Sequence, residues 1–493
     1  MWYDIGAVGR TAIFCLYGGD KRDKKHPSLL FGIMKLLTHK NFTSINDADM
    51  TKGSLWRKIF LFSVPLMASQ LLQVLFNMAD VAVVGNFSSS QALGSVGSTT
   101  ILVTLFTGVL IGMGSGVNVR VAQFIGAGEK NDTSETVHTA FVICTAAGVL
   151  IAVACFFLAH PMLALIKTKD ELIDGAVLYF KIYALGMPAL GIFNFGNAVL
   201  SAEGDTRRPL VYLTASGVLN VLLNLFFVIV CKMAAEGVAL ASIISQYLSA
   251  ALILIRLSHD KGMCGFSWRK VRIYRGKAAS ILSLGVPAAF QNAIFAVANL
   301  FIQSGVNSFD HVMVEGNSAA ANSDAIIYNV MAAFYTACST FMGQNLGAGK
   351  RRRVMKSYIV SLCYSFVAGA VLGILLMVFG EQFLAIFTHD PEVAAAGMHR
   401  IMIMGFSYMV SALMDCTIAA SRGLGKSFVP TVIVILGSCV FRVAWVYTVF
   451  AHFHTIPSLY LLYIFSWSIT AIAEITYFCI AWRKSTCGAP EPA

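Results

Sequence analysis

The chain has 493 residues, of which 57% are hydrophobic and 12% charged, with a mean hydropathy of +0.72. A soluble domain carries about a quarter charged residues, so this composition excludes a water-soluble fold and predicts an all-α integral membrane protein. The net charge of +11 does not mark a nucleic-acid binder, because no basic domain stands apart from the apolar runs.

Residues 1–49 differ from the rest. They hold the charge run Lys21-Arg22-Asp23-Lys24-Lys25 and only short apolar stretches, whereas a span needs about 20 residues. They read as an N-terminal extension, disordered or a mis-assigned start, with Met50 the natural first residue. Twelve spans then follow: 56–84, 95–120, 135–160, 173–202, 208–232 and 235–257 in one half, and 279–307, 318–344, 357–380, 395–422, 428–451 and 456–482 in the other. This divides the chain into a six-helix bundle over 50–257, a linker over 258–278, a second bundle over 279–484 and a tail over 485–493. The linker carries Lys261, Arg269, Lys270, Arg272, Arg275 and Lys277. The positive-inside rule makes it cytoplasmic. Alternating from it, the loops with Lys130, Arg207-Arg208 and Lys350 to Arg353 fall on the same side, with both termini. The expected location is therefore a cell membrane, inner or plasma, of a bacterium.

The halves repeat each other. Gln123-Phe124-Ile125-Gly126-Ala127-Gly128 recurs 221 positions later as Gln344-Asn345-Leu346-Gly347-Ala348-Gly349, and the same shift carries Gly204 onto Gly425 and Pro209 onto Pro430. Val64-Pro65 recurs as Val286-Pro287, one position further on. Two homologous helix bundles are the usual build of a secondary transporter, with the substrate path between them. The Gly-Ala-Gly stretches are not phosphate loops, since neither has a Gly-Lys-Ser/Thr ending. They read as tight turns after the second and eighth spans.

Polar groups at membrane depth are costly and face the bundle interior. The first span places Gln70, Gln73, Asn77 and Asp80 on one helical face. The amides are readable as interhelical hydrogen-bonding groups. A buried carboxylate such as Asp80 must pair, bind a cation or take up a proton, and no Lys or Arg lies at similar depth in the neighbouring spans. The fifth span adds Asn220 and Asn224, the sixth Ser242 and Gln246, and the fourth Asn194 and Asn197. The second half is not an equal copy, because the position matching Asp80 is Ile302. Asp415 and Arg442 in the tenth and eleventh spans are expected to form an ion pair, and Glu474 in the twelfth has no evident partner. The eleven cysteines sit mostly in apolar runs with no Cys-x-x-Cys spacing, so neither a metal site nor a disulfide framework is expected.

Val64-Pro65, Asn77 to Asp80 with Val84-Gly85, Gln123 to Gly128, Glu203 to Thr206, Asn220 to Asn224 and the repeated Gln344 to Gly349 resemble the multidrug and toxic-compound extrusion (MATE) family. The resemblance runs from about Met50 to Lys484 and looks closest to the DinF-like branch. It implies two six-helix bundles around a central cavity, and efflux of amphipathic, often cationic compounds in exchange for H⁺ or Na⁺. It further implies a coupling site at Asp80, Asn194, Asn220, Asn224 and Ser242, with Tyr179, Gln73 and Asn77 supporting it or lining the cavity, and a bending proline at Pro65. The branch often has a second acid where this chain has Asn224, which favours a proton over Na⁺. The acid that the NorM-like branch carries in its seventh helix is replaced here by Gln291 or its neighbours. No cofactor is implied, no metal beyond a Na⁺ at the coupling site, and no partners beyond small molecules and membrane lipids; a monomer is expected. The alternative is a flippase for a lipid-linked or polysaccharide precursor, disfavoured because only Arg442 stands out as a cation at depth.

Overall fold

A computed structural model describes residues 49–388 and 390–486. Apart from Asp49, the expected extension lies outside the described residues, as do residues 487–493 of the expected tail. Twelve apolar helical units run through the described part: α1 (Leu55–Phe87), α2 (Ser90–Ala127), α3 (Lys130–Leu165), α4 (Asp170–Ala184 continued by Met187–Glu203), α5 (Arg207–Val230), α6 (Ala235–Ser258), α7 (Arg275–Val306), α8 (His311–Gly347), α9 (Arg351–Val378), α10 (Pro391–Gly423), α11 (Phe428–Phe453) and α12 (Ile456–Thr486). Each overlaps one predicted span. The difference lies in α4, which bends by 44° between its two parts. Gly186 and Pro188 sit at this break, and a proline there removes a backbone donor.

Helix ends follow local chemistry. The side chains of Ser89 and Asp310 accept backbone N–H bonds from Ala92 and Met313, capping α2 and α8. Gly204 and Gly425, paired by the repeat, close α4 and α10 with positive φ, as do Gly128 and Gly349 after α2 and α8. Several apolar clusters result. One gathers Val117, Val121, Phe195 and Val199 of α2 and α4 with Ile281 and Ala289 of α7, and another gathers Met331, Met404, Tyr408 and Trp467 of α8, α10 and α12.

The bundles meet where α1 and α2 pack on α7 and α8, towards the end of the molecule that carries Arg207, Arg208 and the Lys350 to Arg353 run. Here the repeated motif has a role that its reading as a turn did not capture. Gly126 lies inside α2, where an added Cβ would fall 2.0 Å from the Gln344 carbonyl oxygen; one on Gly347 would fall 1.9 Å from the Gln123 carbonyl oxygen. The two glycines let the paired helices cross backbone to backbone about the pseudo-symmetry axis. Around the crossing, Thr340 donates to Asn118 Oδ1 (2.8 Å), Gln344 to the Ala202 carbonyl (2.7 Å) and Gln123 to the Gly423 carbonyl (3.0 Å). The buried Met50 adds a further tie, its carbonyl accepting from Asn345 and Arg353 of the second half. The basic end is thus closed by direct contacts between the bundles.

Candidate functional site

Asp80 lies in α1, about seven turns from its start, and reaches into its own bundle. Asn224 of α5 donates to Asp80 Oδ1 (2.5 Å), and the Ser242 hydroxyl of α6 donates to Oδ2 (3.4 Å). Asn224 also donates to Asn220 Oδ1 (3.3 Å), and Asn220 donates to Ser242 (3.4 Å). Asn220 and Asn224 share a face because they are one turn apart, and both are buried. Directly after Asn224, α5 passes into a π-helical turn over Phe226–Val230, a local widening often found at functional sites. A matching turn over Val446–Phe450 occurs at the repeated place in α11.

The carboxyl is therefore held by neutral groups from three helices, with no cationic side chain in ion-pair reach among the described residues. The cluster offers five oxygens, counting both of Asp80 and one each from Asn220, Asn224 and Ser242. As the Asn224 amide stands, its nitrogen faces the carboxylate and its oxygen is buried without a partner. Turning that amide by 180° would present its oxygen to the same point. The residues fit a directly hydrogen-bonded carboxyl as they stand, and an oxygen-bound monovalent cation after that turn.

The other expected site residues fall in several places. Tyr179 is buried beside Asp80 and stacks on Tyr183, with ring centroids 6.0 Å apart. Tyr183, which also faces Asp80, was not picked out from the sequence, although its one-turn spacing from Tyr179 was the available signal. Asn194 is not bonded to the cluster; it donates to the Leu190 carbonyl within its own helix (2.9 Å). Gln73 and Asn77 are exposed. Pro65 is buried within an unbroken α1, where the preceding turn packs on Phe341 of α8 through Phe62.

The second bundle corrects one expectation. Asp415 and Arg442 form no ion pair: Asp415 accepts a hydrogen bond from Ser411 one turn earlier (2.9 Å), while Arg442 donates to Ser466 (3.1 Å). The Arg442 guanidinium instead lies over the rings of Tyr463 (4.7 Å), Trp467 (5.3 Å) and Phe295 (5.7 Å). Two residues in neighbouring spans can match in depth yet point to different sides of their helices. A buried ion pair in this bundle instead joins Arg400 of α10 to Asp324 of α8, with the Tyr408 hydroxyl donating to the same carboxylate and Arg400 donating to Asn317 (2.6 Å). A third arginine, Arg422, donates to Gln291 of α7 (2.7 Å). Arg442 is thus not alone at depth, but each of the three cations is engaged by side chains of the protein.

Comparison with known proteins agrees with this architecture. The family model described as MatE matches twice, over residues 65–226 and 287–448. The chain is 28% identical over 360 residues to the probable multidrug resistance protein YpnP of Bacillus subtilis, covering 73% of this chain and 80% of the relative. It is 23% identical to a FAD transporter of Shewanella oneidensis, covering 71% of this chain and 78% of the relative. Among solved structures, an outward-facing multidrug resistance MATE family transporter superposes with a TM-score of 0.83 at 18% identity, covering 90% of this chain and 99% of that one. A transporter of the MOP superfamily from Pyrococcus furiosus gives the same score at the same identity and coverage. With two matches of the family model spanning most of the chain, this multi-pass membrane protein belongs to the MatE family, whose members are transporters and not enzymes.

Proposed function

We propose that the chain is a secondary active antiporter that exports amphipathic, often cationic organic compounds in exchange for a cation by alternating access, with Asp80 as the coupling group. The observation that carries this reading is the setting of Asp80, a carboxyl at membrane depth bonded by Asn224 and Ser242 with no fixed positive partner. A carboxyl without a counter-ion responds to the arrival or loss of a cation, which a permanently paired one does not. Its amide and hydroxyl partners can bond either protonation state, so the proton is the favoured cation; a single carboxylate supplies little negative charge to hold Na⁺. Loading Asp80 then biases how α1 sits against α5 and α6, and α1 is also the helix that packs on α8 across the bundle interface.

In this reading the basic end is cytoplasmic, both termini lie inside, and the contacts around Gly126 and Gly347 seal the inner side while substrate leaves outward. The protein acts as a monomer in the cell membrane. A flippase of lipid-linked precursors is the less favoured reading, because Arg400, Arg422 and Arg442 are already taken by Asp324, Gln291 and Ser466 and leave no ring of cations for phosphates. The test is transport of a fluorescent organic cation by the reconstituted protein under an imposed pH or Na⁺ gradient. Asp80→Asn is expected to abolish gradient-driven efflux while retaining substrate binding. Full coupled transport by that variant would refute the assignment, and strict Na⁺ dependence of the wild type would overturn the choice of ion.

A further inference from the structure

Glu474 is completely buried in α12, and neither of its carboxyl oxygens has a hydrogen-bond partner. A carboxylate ion left in that condition would bear the whole desolvation penalty, which far exceeds that of the neutral acid. A buried polar group this poorly satisfied calls for an explanation. The charged groups acting on it are both in α10, Arg422 and Asp415; Tyr477, a turn later in α12, is the other titratable neighbour. Asp415 is turned to Ser411. Arg422 is turned to Gln291 of α7 and leaves its own Nε buried without an acceptor. Two groups of opposite charge on packed helices are thus both under-bonded, and each could satisfy the other.

The bond that keeps Arg422 away lies at a pliable place. Gln291 stands one turn beyond Pro287 in α7, where the missing proline N–H makes the helix easiest to bend. Arg422 is also at the last turn of α10, next to Gly423, whose carbonyl accepts from Gln123 of the opposite bundle. A movement that parts the bundles at the basic end therefore disturbs the surroundings of Arg422 directly.

We propose that Glu474 is a second proton-carrying carboxyl, neutral while the basic end is shut and ion-paired with Arg422 once that end opens. The step moves one proton from the Glu474 carboxyl to water entering from the basic side, as the Arg422 guanidinium leaves Gln291 and donates to the new carboxylate. This rests on reading the chain as a cation-coupled antiporter, and it adds a proton site to the bundle that lacks a counterpart of Asp80.

Infrared spectroscopy of the purified protein in an Asp80→Asn background tests it without any gradient, so its outcome is separate from that of the transport assay. At neutral pH the carbonyl-stretch band of protonated carboxylic acids should lose one component on Glu474→Gln. The amide copies the neutral acid, so this variant is expected to fold, which a thermal unfolding curve checks. Arg422→Gln removes the waiting partner, and the Glu474 component should then persist at an alkaline pH that abolishes it when Arg422 is present. A spectrum unchanged by Glu474→Gln would overturn the proposal, as would identical pH behaviour with and without Arg422.

Discussion

Gly347→Ala tests whether the repeated motif shuts the basic end. The new Cβ would lie 1.9 Å from the Gln123 carbonyl oxygen and 2.9 Å from the Ala127 nitrogen, against an ordinary contact of 3.4 Å or more. Both obstacles are backbone, so no side chain can swing aside, and α2 and α8 must separate by about 1.5 Å, the shortfall from 3.4 Å. Overpacking of this kind costs about 1–3 kcal/mol. Replacing a helical glycine by alanine returns roughly 0.5–1 kcal/mol through backbone entropy, so steric cost wins except at the bottom of its range. Because the penalty falls only on the closed arrangement, opening of the basic end should rise by roughly 5- to 150-fold for a full 1–3 kcal/mol. The assay is hydrogen exchange over residues 120–128 and 342–350, with Gly276→Ala as control, since nothing lies within 4 Å of a Cβ there. Faster exchange in Gly347→Ala alone is expected. Exchange and thermal midpoint equal to the control would refute the crossing as a closure device.

Arg400→Leu should destabilise the protein by about 3–5 kcal/mol by stranding Asp324 in the second bundle; adding Asp324→Asn should recover part of that loss in a thermal unfolding assay. Deleting residues 1–49 so that the chain starts at Met50 should preserve membrane insertion and transport, because the Met50 side chain and carbonyl keep their contacts. Deleting through Gly53 should impair both, since it also removes the carbonyls that Lys350 and Arg353 bind.

The helices and their number were legible because apolar length and the repeat both report on them. Asp80, Asn220, Asn224 and Ser242 were legible for a related reason: a lone carboxyl and a pair of amides at helical spacing stand out in apolar text. Sequence spacing fixes the face of each helix but not which helices are neighbours. That is why Asn194, equal in type to the other amides, proved to be bonded within its own helix. It is also why Asp324 and Arg400, each visible inside a span, were not joined, while Asp415 and Arg442 were joined wrongly. The function of Gly126 and Gly347 was hidden for the same reason, since a glycine that admits another backbone reads in sequence like one that makes a turn.

The repeat also shows how differently the two bundles have filled matching places. The shifts of 221 and 222 that align the halves carry Tyr179 onto Arg400, Ser242 onto Tyr463, Asn224 onto Trp445 or Val446, and Asp80 onto Ile302. Ile302 is buried in the apolar core, and Arg400 lies over the ring of Tyr463, 5.8 Å from its centroid. At matching places, then, one bundle presents a carboxyl among neutral donors and the other presents guanidinium groups packed on aromatic rings. A guanidinium stays charged at any physiological pH, so these arginines cannot load and unload a proton as the carboxyl of Asp80 can. The closing contacts, by contrast, remain paired across the axis, Gly126 on Gln344 and Gly347 on Gln123. Symmetry is kept where the two bundles must meet in register, and broken in the polar groups that each of them buries.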